Sequence, residues 1–150
     1  MNKKVIISFS DETGSSIFTF GGQNIYYPYN IVDSVSYLSI SQNGMLLDKN
    51  MFFTKMPQPQ RDHCSVGYAD NFAFIIGGQT AGSVMINTSM IFNIQNSTFV
   101  PVFSLSRPRL NPTCNIVGTK IIIAGGFSLP SRTGGSWVLV FNKLHLKICI

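Results

Sequence analysis

Charge is scarce in this sequence of 150 residues, of which only 11% are charged. Six residues are acidic, and the only glutamate is Glu12, which follows Asp11 in a predicted turn where solvation is the default. Histidine occurs only twice, as His63 and His145. Active sites built on paired carboxylates or on several histidines are therefore disfavoured.

Long apolar segments are also missing. No run of about 18 apolar residues occurs, so neither a membrane-spanning helix nor a membrane partner is expected. No stretch of about ten residues or more shows a clear helical period. The apolar stretch Val5 to Phe9 is shorter than the core of a signal peptide and is predicted to be a first strand. Because 45% of the residues are hydrophobic, a disordered chain is excluded.

Cysteine is rare as well, and the three cysteines are Cys64, Cys114 and Cys149. An odd number at wide spacing argues against a disulfide framework. No pair of cysteines is separated by two residues, as in many zinc sites. We therefore expect reduced thiols, a cytoplasmic protein and no metal or other cofactor.

The net charge of +5 comes from eleven basic residues that are scattered singly, apart from Lys3 and Lys4. A nucleic-acid interface needs a basic stripe with interleaved aromatic residues, and none is present. The basic balance is interpreted as a solvated surface, with no nucleic-acid partner.

A glycine pair closes a short apolar run three times. The three pairs are Gly21-Gly22, Gly77-Gly78 and Gly125-Gly126. Gly77 follows Gly21 by 56 positions, and Gly125 follows Gly77 by 48. A repeat of roughly 50 residues is the length of one four-stranded propeller blade.

Other features of the sequence recur at the same spacing as the glycine pairs. Arg61 lies 16 positions before Gly77, and Arg109 lies 16 before Gly125. An apolar strand ending in Phe-Asn follows the second and third pairs, at residues 92–93 and 141–142. The apolar runs are short, rich in Ile, Val and Phe, and bounded by Gly, Asn, Pro and Ser, which indicates about four strands per repeat.

This pattern resembles the kelch-repeat β-propeller family over nearly the whole chain. The resemblance implies an all-β fold of about three four-stranded antiparallel blades, at residues 5–53, 61–103 and 109–150, in an incomplete or open propeller. It also implies that each glycine pair ends the second strand of its blade, where glycine allows positive φ and close backbone approach.

The sequence departs from the family pattern in two ways. The family usually has a tryptophan six residues after the Asp or Asn that ends the third strand, and those positions here hold Met45, Phe99 and Ile148. In the first repeat Val5 stands where the arginine is expected. Weaker contacts between blades are therefore expected.

Three blades do not close a ring, because propellers have four to eight. Two outer sheet faces would remain uncovered, and such apolar faces aggregate or form interfaces. Three interpretations stay open: part of a longer propeller, self-association of two copies into a six-bladed ring, or the product of a truncated gene without a stable fold.

The densest polar cluster is Arg61-Asp62-His63-Cys64. One interpretation is a metal or nucleophile site formed by His63 and Cys64. The favoured interpretation follows the resemblance, in which Arg61 and His63 brace the turn into a blade. No catalytic, cofactor-binding or metal-binding residue is predicted.

The loops after the glycine pairs, residues 23–32, 79–87 and 127–135, are the predicted binding surface. Aromatic side chains in loops supply large, rigid contact area, although the tyrosines would equally cover a blade edge. The candidate contact residues are Tyr26, Tyr27, Tyr29, Gln79 and Arg132.

The expected function is a protein-interaction module that is not an enzyme and that presents these loops to a protein partner. The alternative is a fragment of a kelch-type propeller enzyme, oxidase-like or epimerase-like, without its own catalytic set.

Overall fold

A computed structural model describes residues 5–10, 12–24, 29–69, 71–128 and 138–142. Within these ranges all regular structure is β-strand, apart from one short 3-10 turn at Ala81–Ser83. The prediction of an all-β chain made of antiparallel sheets is therefore confirmed.

Sheet 1 contains the first four strands in chain order, each antiparallel to the next. Its strands are β1 (Val5–Ser10), β2 (Gly14–Phe20), β3 (Ser34–Ser41) and β4 (Leu46–Lys55). All three connections are local, so hydrogen bonding proceeds from one hairpin to the next along the chain.

Sheet 2 has the same up-and-down order but carries a small hairpin in its middle connection. Its strands and hairpin follow as β5 (Cys64–Tyr68), β6 (Phe72–Ile76), the hairpin strands β7 (Gln79–Thr80) and β8 (Val84–Met85), then β9 (Thr88–Asn93) and β10 (Thr98–Ser104). The hairpin does not pair with the strands of sheet 2, so β6 is the direct neighbour of β9 in the sheet.

Sheet 3 is described for three strands, β11 (Thr113–Val117), β12 (Lys120–Ala124) and β13 (Val138–Asn142). A two-residue turn joins β11 to β12, where Val117 pairs with Lys120 and Gly118 supplies the positive φ of 57° that such turns require. The fourth strand predicted near residues 144–150 lies outside the described residues. None of the three sheets closes on itself.

Sheets 1 and 2 pack face to face over one hydrophobic cluster. Its fully or nearly fully buried members are Ile7, Phe18, Phe20 and Val35 from sheet 1, Ala73, Ile75, Met90 and Phe92 from sheet 2, and Met56 from the connection between the sheets. Aromatic rings dominate the contact, since the ring of Phe92 lies 5.5 Å from that of Phe20 and 6.3 Å from that of Phe18. Rings at these separations stabilise beyond their buried area.

Sheets 2 and 3 pack over a second cluster, formed by Cys64, Phe74, Ile76, Ile91, Leu105, Ile121 and Ile123. Strand β6 explains how one sheet serves both clusters. Its residues Ala73 and Ile75 face sheet 1, whereas Phe74 and Ile76 face sheet 3. A strand covered on both faces has no polar face, and this is why β6 is a continuous apolar run.

Candidate functional site

The glycine pairs lie directly after β2, β6 and β12, the second strands of the three sheets. All six glycines have positive φ, between 55° and 109°. At four of the six positions, an added Cβ would lie 3.1 Å or less from a described backbone atom of another segment, so a side chain there meets both a steric and a conformational penalty. These positions are Gly21, Gly77, Gly78 and Gly126. The chain therefore turns sharply out of each sheet at these points, which we call the glycine corners.

Each of the first two corners joins its own sheet to the segment that leads into the next sheet. The N–H of Gly22 donates to the carbonyl of Gln60 at 2.8 Å, and the N–H of Gly78 donates to the carbonyl of Arg109 at 2.6 Å. A Cβ placed on Gly77 would lie 2.8 Å from the same Arg109 oxygen. The second glycine of each pair thus donates a hydrogen bond to the segment that leads into the next sheet. At Gly77, the first glycine of its pair, the same segment lies too close for a larger residue.

We call residues 57–63 and 106–112 the lead-in segments, because they lead into sheets 2 and 3. Each lead-in segment also pairs with the loop that follows the glycine corner of the sheet into which it leads. Arg61 exchanges two backbone hydrogen bonds with Gln79, and Leu110 exchanges two with Phe127. By backbone bonding, Arg61 is therefore equivalent to Leu110, and Arg109 is equivalent to Gln60. Arg61 and Arg109 lie at the same distance before their glycine pairs in the sequence. In the fold, their positions within the lead-in segments differ by one residue.

Positive φ repeats in the lead-in segments, with 56° at Asp62 and 51° at Asn111. These two residues are 49 positions apart, which matches the backbone equivalence of Arg61 and Leu110. The N–H of Asn111 donates to the carbonyl of Asp62 at 2.7 Å, so the two lead-in segments lie side by side. Asparagine and aspartate are the residues that tolerate this conformation best after glycine.

Side chains connect the bases of the first two loops. The Arg61 guanidinium donates to the side-chain oxygen of Gln23, and its Nε lies 3.5 Å from Asp62 Oδ2. Gln79 Nε2 donates to the same Asp62 oxygen at 3.0 Å. We call this group the loop base: Gln23, Arg61, Asp62, Gln79 and Asn111. Sequence reasoning singled out Arg61, Asp62 and Gln79, but not as one bonded group. It missed Gln23 and Asn111, which do not differ from ordinary surface residues until the corners bring the group together.

The candidate contact residues divide between the base and the tips of the loops. Tyr29 is 63% exposed and its carbonyl accepts a hydrogen bond from Gln23 Nε2 at 2.8 Å, so a fixed backbone presents an exposed ring. Gln79 is only 6% exposed and belongs to the loop base. The exposed tip of its loop is residues 81–84, where Val84 is 57% exposed. Tyr26, Tyr27 and Arg132 lie outside the described residues.

His63 is 4% exposed, beside the corner glycine Gly78. Burial lowers its pKa to about 4, and the charge of Asp62 opposes this shift only partly. Neither ring nitrogen has a hydrogen-bond partner among the described residues. A neutral, enclosed imidazole is consistent with a bracing role in the turn and leaves no approach for a substrate.

Cys64 forms a disulfide with Cys114, with their Cα atoms 5.9 Å apart. The expectation that the three cysteines are reduced and unpaired is therefore wrong for two of them. Both residues belong to the first strands of neighbouring sheets, β5 and β11, so a wide separation in sequence becomes a close contact once the sheets stack. The nucleophile interpretation of Cys64 also fails, because its sulfur is already bonded.

Among the described residues, no three His, Cys, Asp or Glu side chains come close enough to hold a metal ion. In the same part of the chain, no helix has the length and apolarity needed to cross a membrane. No protein-family model matches the sequence, and no curated protein matches it either.

Proposed function

We propose that the three sheets are consecutive blades of a kelch-type β-propeller and that the chain is a protein-interaction module. Three features support the blade assignment: up-and-down strand order in each sheet, face-to-face stacking in chain order, and a glycine corner after each second strand. Radial repetition of four-stranded sheets is the architecture that this arrangement matches.

The loop base is the observation that carries the binding role. Loops from successive sheets leave at the same end of the stack, and Arg61 joins the first loop to the second through Gln23 and Gln79. Because the base is bonded, exposed tips such as Tyr29 and Val84 are presented without a large cost of ordering on binding. Exposed aromatic and aliphatic side chains on a rigid support are typical of protein-binding surfaces.

A selection experiment tests this role. The folded chain is used as bait for a displayed library of natural polypeptides, and each selected ligand is then tested against two variants at the loop end, Tyr29→Ser and Val84→Ser. The matched control is Met45→Ser, because Met45 is 64% exposed but lies in the β3–β4 turn. We expect at least about a tenfold loss of affinity for a loop variant and no change for the control. Ligands that lose affinity only with the control would contradict the proposal.

We further propose that two copies associate to close the ring, because sheet 1 has an uncovered apolar face. Ile6 is 64% exposed, and together with Ile17 and Leu38 it borders a depression of about 440 Å³. These residues point away from sheet 2. In sheets 2 and 3 the residues equivalent to Ile17, namely Ala73 and Ile121, are covered by the preceding sheet.

The third glycine corner supplies a second argument for self-association. A Cβ on Gly125 would meet no described atom within 4 Å, whereas at Gly77 the lead-in of the next sheet occupies this place. A further sheet would fill it. If the sheet comes from a second copy, head-to-tail contact at both ends closes with two-fold symmetry.

Analytical ultracentrifugation tests the ring. We expect a dimer that dissociates in Ile6→Lys and persists in Val100→Lys, since Val100 is 46% exposed on the last strand of sheet 2. A well-folded monomer of 16.6 kDa at all concentrations would refute self-association and favour coverage of this face by further blades of a longer chain.

The cytoplasmic location expected from the cysteine count now depends on the redox state of Cys64 and Cys114, because disulfides persist mainly in oxidising compartments. Trapping free thiols at the moment of cell lysis, followed by peptide mapping, tests it. Free thiols on both residues would support a cytoplasmic protein, and an intact bond would contradict that location.

A further inference from the structure

A cleft opens between sheets 1 and 2 at the end opposite the glycine corners, where β1 ends and β2 begins. Its volume is about 470 Å³, which lies within the range of small-molecule sites. The lining residues are Phe9, Ser10, Ser16, Phe18, Tyr37 and Phe53 from sheet 1, with Asn71 and Ile94 from the turns of sheet 2. The cleft plays no part in the binding role proposed for the loops.

Four aromatic rings form its sheet 1 wall, and they support one another. Phe18 is the centre of the group, with its ring centroid 5.0 Å from that of Tyr37, 5.7 Å from that of Phe53 and 6.2 Å from that of Phe9. The ring of Tyr37 also lies 5.7 Å from that of Phe53. The relative orientations include edge-to-face pairs, which leave ring faces and edges available to a further ring.

The wall is held in place from behind. Phe18 is only 2% exposed, and Phe9 rests on Gly67 of sheet 2, where an added Cβ would come within 3.0 Å of the Phe9 ring. The absence of a side chain at position 67 therefore lets Phe9 lie close to sheet 2. A wall fixed by packing is ordered before any ligand arrives, so binding costs little conformational entropy.

The opposite wall contributes a positioned amide. The carbonyl of Asn71 accepts the N–H of Ile94 at 2.8 Å, which fixes the backbone at this point of sheet 2. Within the residues that the structure describes, no hydrogen bond uses the Asn71 side-chain amide. An amide that both donates and accepts, facing a wall of rings, suits a ligand with an apolar face and one hydrogen-bonding edge.

We propose that this cleft binds a planar aromatic group that carries an N–H or O–H on its edge, such as an indole or a phenol. The ring would lie against the aromatic wall, and its polar edge would reach Asn71. The same chemistry is available from a free small molecule or from a tryptophan or tyrosine side chain of a bound polypeptide. An aliphatic group of similar size would also bury apolar surface in the cleft. It would lack the contacts between rings and the hydrogen bond between the ring edge and Asn71, which we call the edge bond.

A ligand titration monitored by the NMR chemical shifts of the backbone amides tests the proposal. Indole is the first probe, and N-acetyl-leucinamide is the aliphatic control. We expect saturable shifts confined to residues around the cleft, with a dissociation constant on the order of 1 mM or tighter for indole. The edge bond is tested with 1-methylindole, which lacks the N–H. It should bind about fivefold more weakly than indole to the natural sequence and equally well to Asn71→Leu.

A blocking variant and its control locate the site. Ser16→Phe places a ring in the cleft and should weaken indole binding at least about tenfold. Ser8→Phe makes the same substitution on the other face of sheet 1, where Ser8 is exposed, and should leave indole binding unchanged. If Ser16→Phe fails to fold, the comparison of indole with 1-methylindole on Asn71→Leu still decides the question.

A peptide arm distinguishes the two sources of the ring. A capped pentapeptide with a central tryptophan between glycines should bind at least as tightly as indole if the natural ligand is a polypeptide side chain. Binding of indole without binding of the peptide would assign the cleft to a free small molecule. No saturable shift by either probe, equal shifts by N-acetyl-leucinamide, or binding unaffected by Ser16→Phe would overturn the proposal.

Discussion

Removal of the disulfide between Cys64 and Cys114 is expected to destabilise the stack of sheets 2 and 3 strongly. The bond closes a loop across a sequence separation of 50 residues. Chain-entropy arguments assign about 4 kcal/mol at 25 °C to a loop of this length, because the cross-link restricts the unfolded chain. For a domain of this size, that free energy corresponds to a decrease of roughly 8–16 °C in the unfolding temperature.

The perturbation is best made twice, with a reductant and with the double substitution of both cysteines by alanine. Thermal unfolding followed by circular dichroism is measured with and without the reductant. We expect the reductant to lower the unfolding temperature of the natural sequence and to leave the double variant unchanged. The variant should lose somewhat more than the reduced protein, because Cys64 is 7% exposed and its truncation also leaves a small cavity.

Cys149→Ala is the matched control, because this substitution removes the third cysteine and leaves the disulfide intact. It should respond to the reductant as the natural sequence does. Thiol titration under denaturing conditions adds a direct count, with one free thiol expected before reduction and three after it, since the chain has three cysteines. Three thiols before reduction, or an unfolding temperature insensitive to the reductant, would refute the reasoning.

Three further predictions concern the corners, the buried histidine and the core. Gly77→Ala and Gly125→Ala share a left-handed backbone, at φ of 66° and 65°, and should each lose about 1–2 kcal/mol of stability, but Gly77→Ala should lose at least about 1 kcal/mol more because its Cβ meets backbone at 2.8 Å. Denaturant titration of both in the Ile6→Lys background, which keeps the chain monomeric and the space beside Gly125 open, would show this difference, and equal losses would contradict it. His63 has a folded pKa of about 4 against 6.5 unfolded, so its contribution is present above pH 6.5 and is lost as the pH falls. That loss is about 2 kcal/mol between pH 7 and pH 5, and His63→Asn should remove it from the pH dependence of unfolding; an unchanged slope would argue against a buried neutral ring. Phe92→Ala should cost about 3–5 kcal/mol and Val100→Ala well under 1 kcal/mol, since the first side chain is fully buried between sheets 1 and 2 and the second is 46% exposed. Similar losses for the two would mean that the sheets do not pack as described.

Local signals in the sequence were sufficient for the strands. The run Phe72–Ile76 is short, apolar and followed by Gly77-Gly78, and the structure has a strand that ends immediately before the first glycine. Short apolar runs and glycine turns depend on neighbours a few residues apart, so they are readable without tertiary information. The all-β character of the chain follows from such signals alone.

The candidate site was less readable, because its residues meet through the stacking of sheets. Gln79 was expected at a binding surface and lies buried in the loop base, bonded to Asp62. Arg61 and Arg109 lie at the same distance before their glycine pairs, yet their backbone partners differ. The two lead-in segments are 49 residues apart, whereas the corners at Gly77 and Gly125 are 48 apart. A single inserted residue changes a hydrogen-bonding register without disturbing the apolar pattern on either side of it.

What the amino-acid sequence by itself determined was the repeated unit: short apolar strands, a glycine pair after each second strand, and turns between them, since each depends on short-range sterics and burial. Only the tertiary structure decided which residues of different units meet. It paired Cys64 with Cys114, joined Gln23 to Arg61, and set a wall of rings opposite Asn71. Such contacts depend on how far one sheet is shifted and rotated against the next, and that offset results from the sum of many side-chain contacts, which no local pattern encodes.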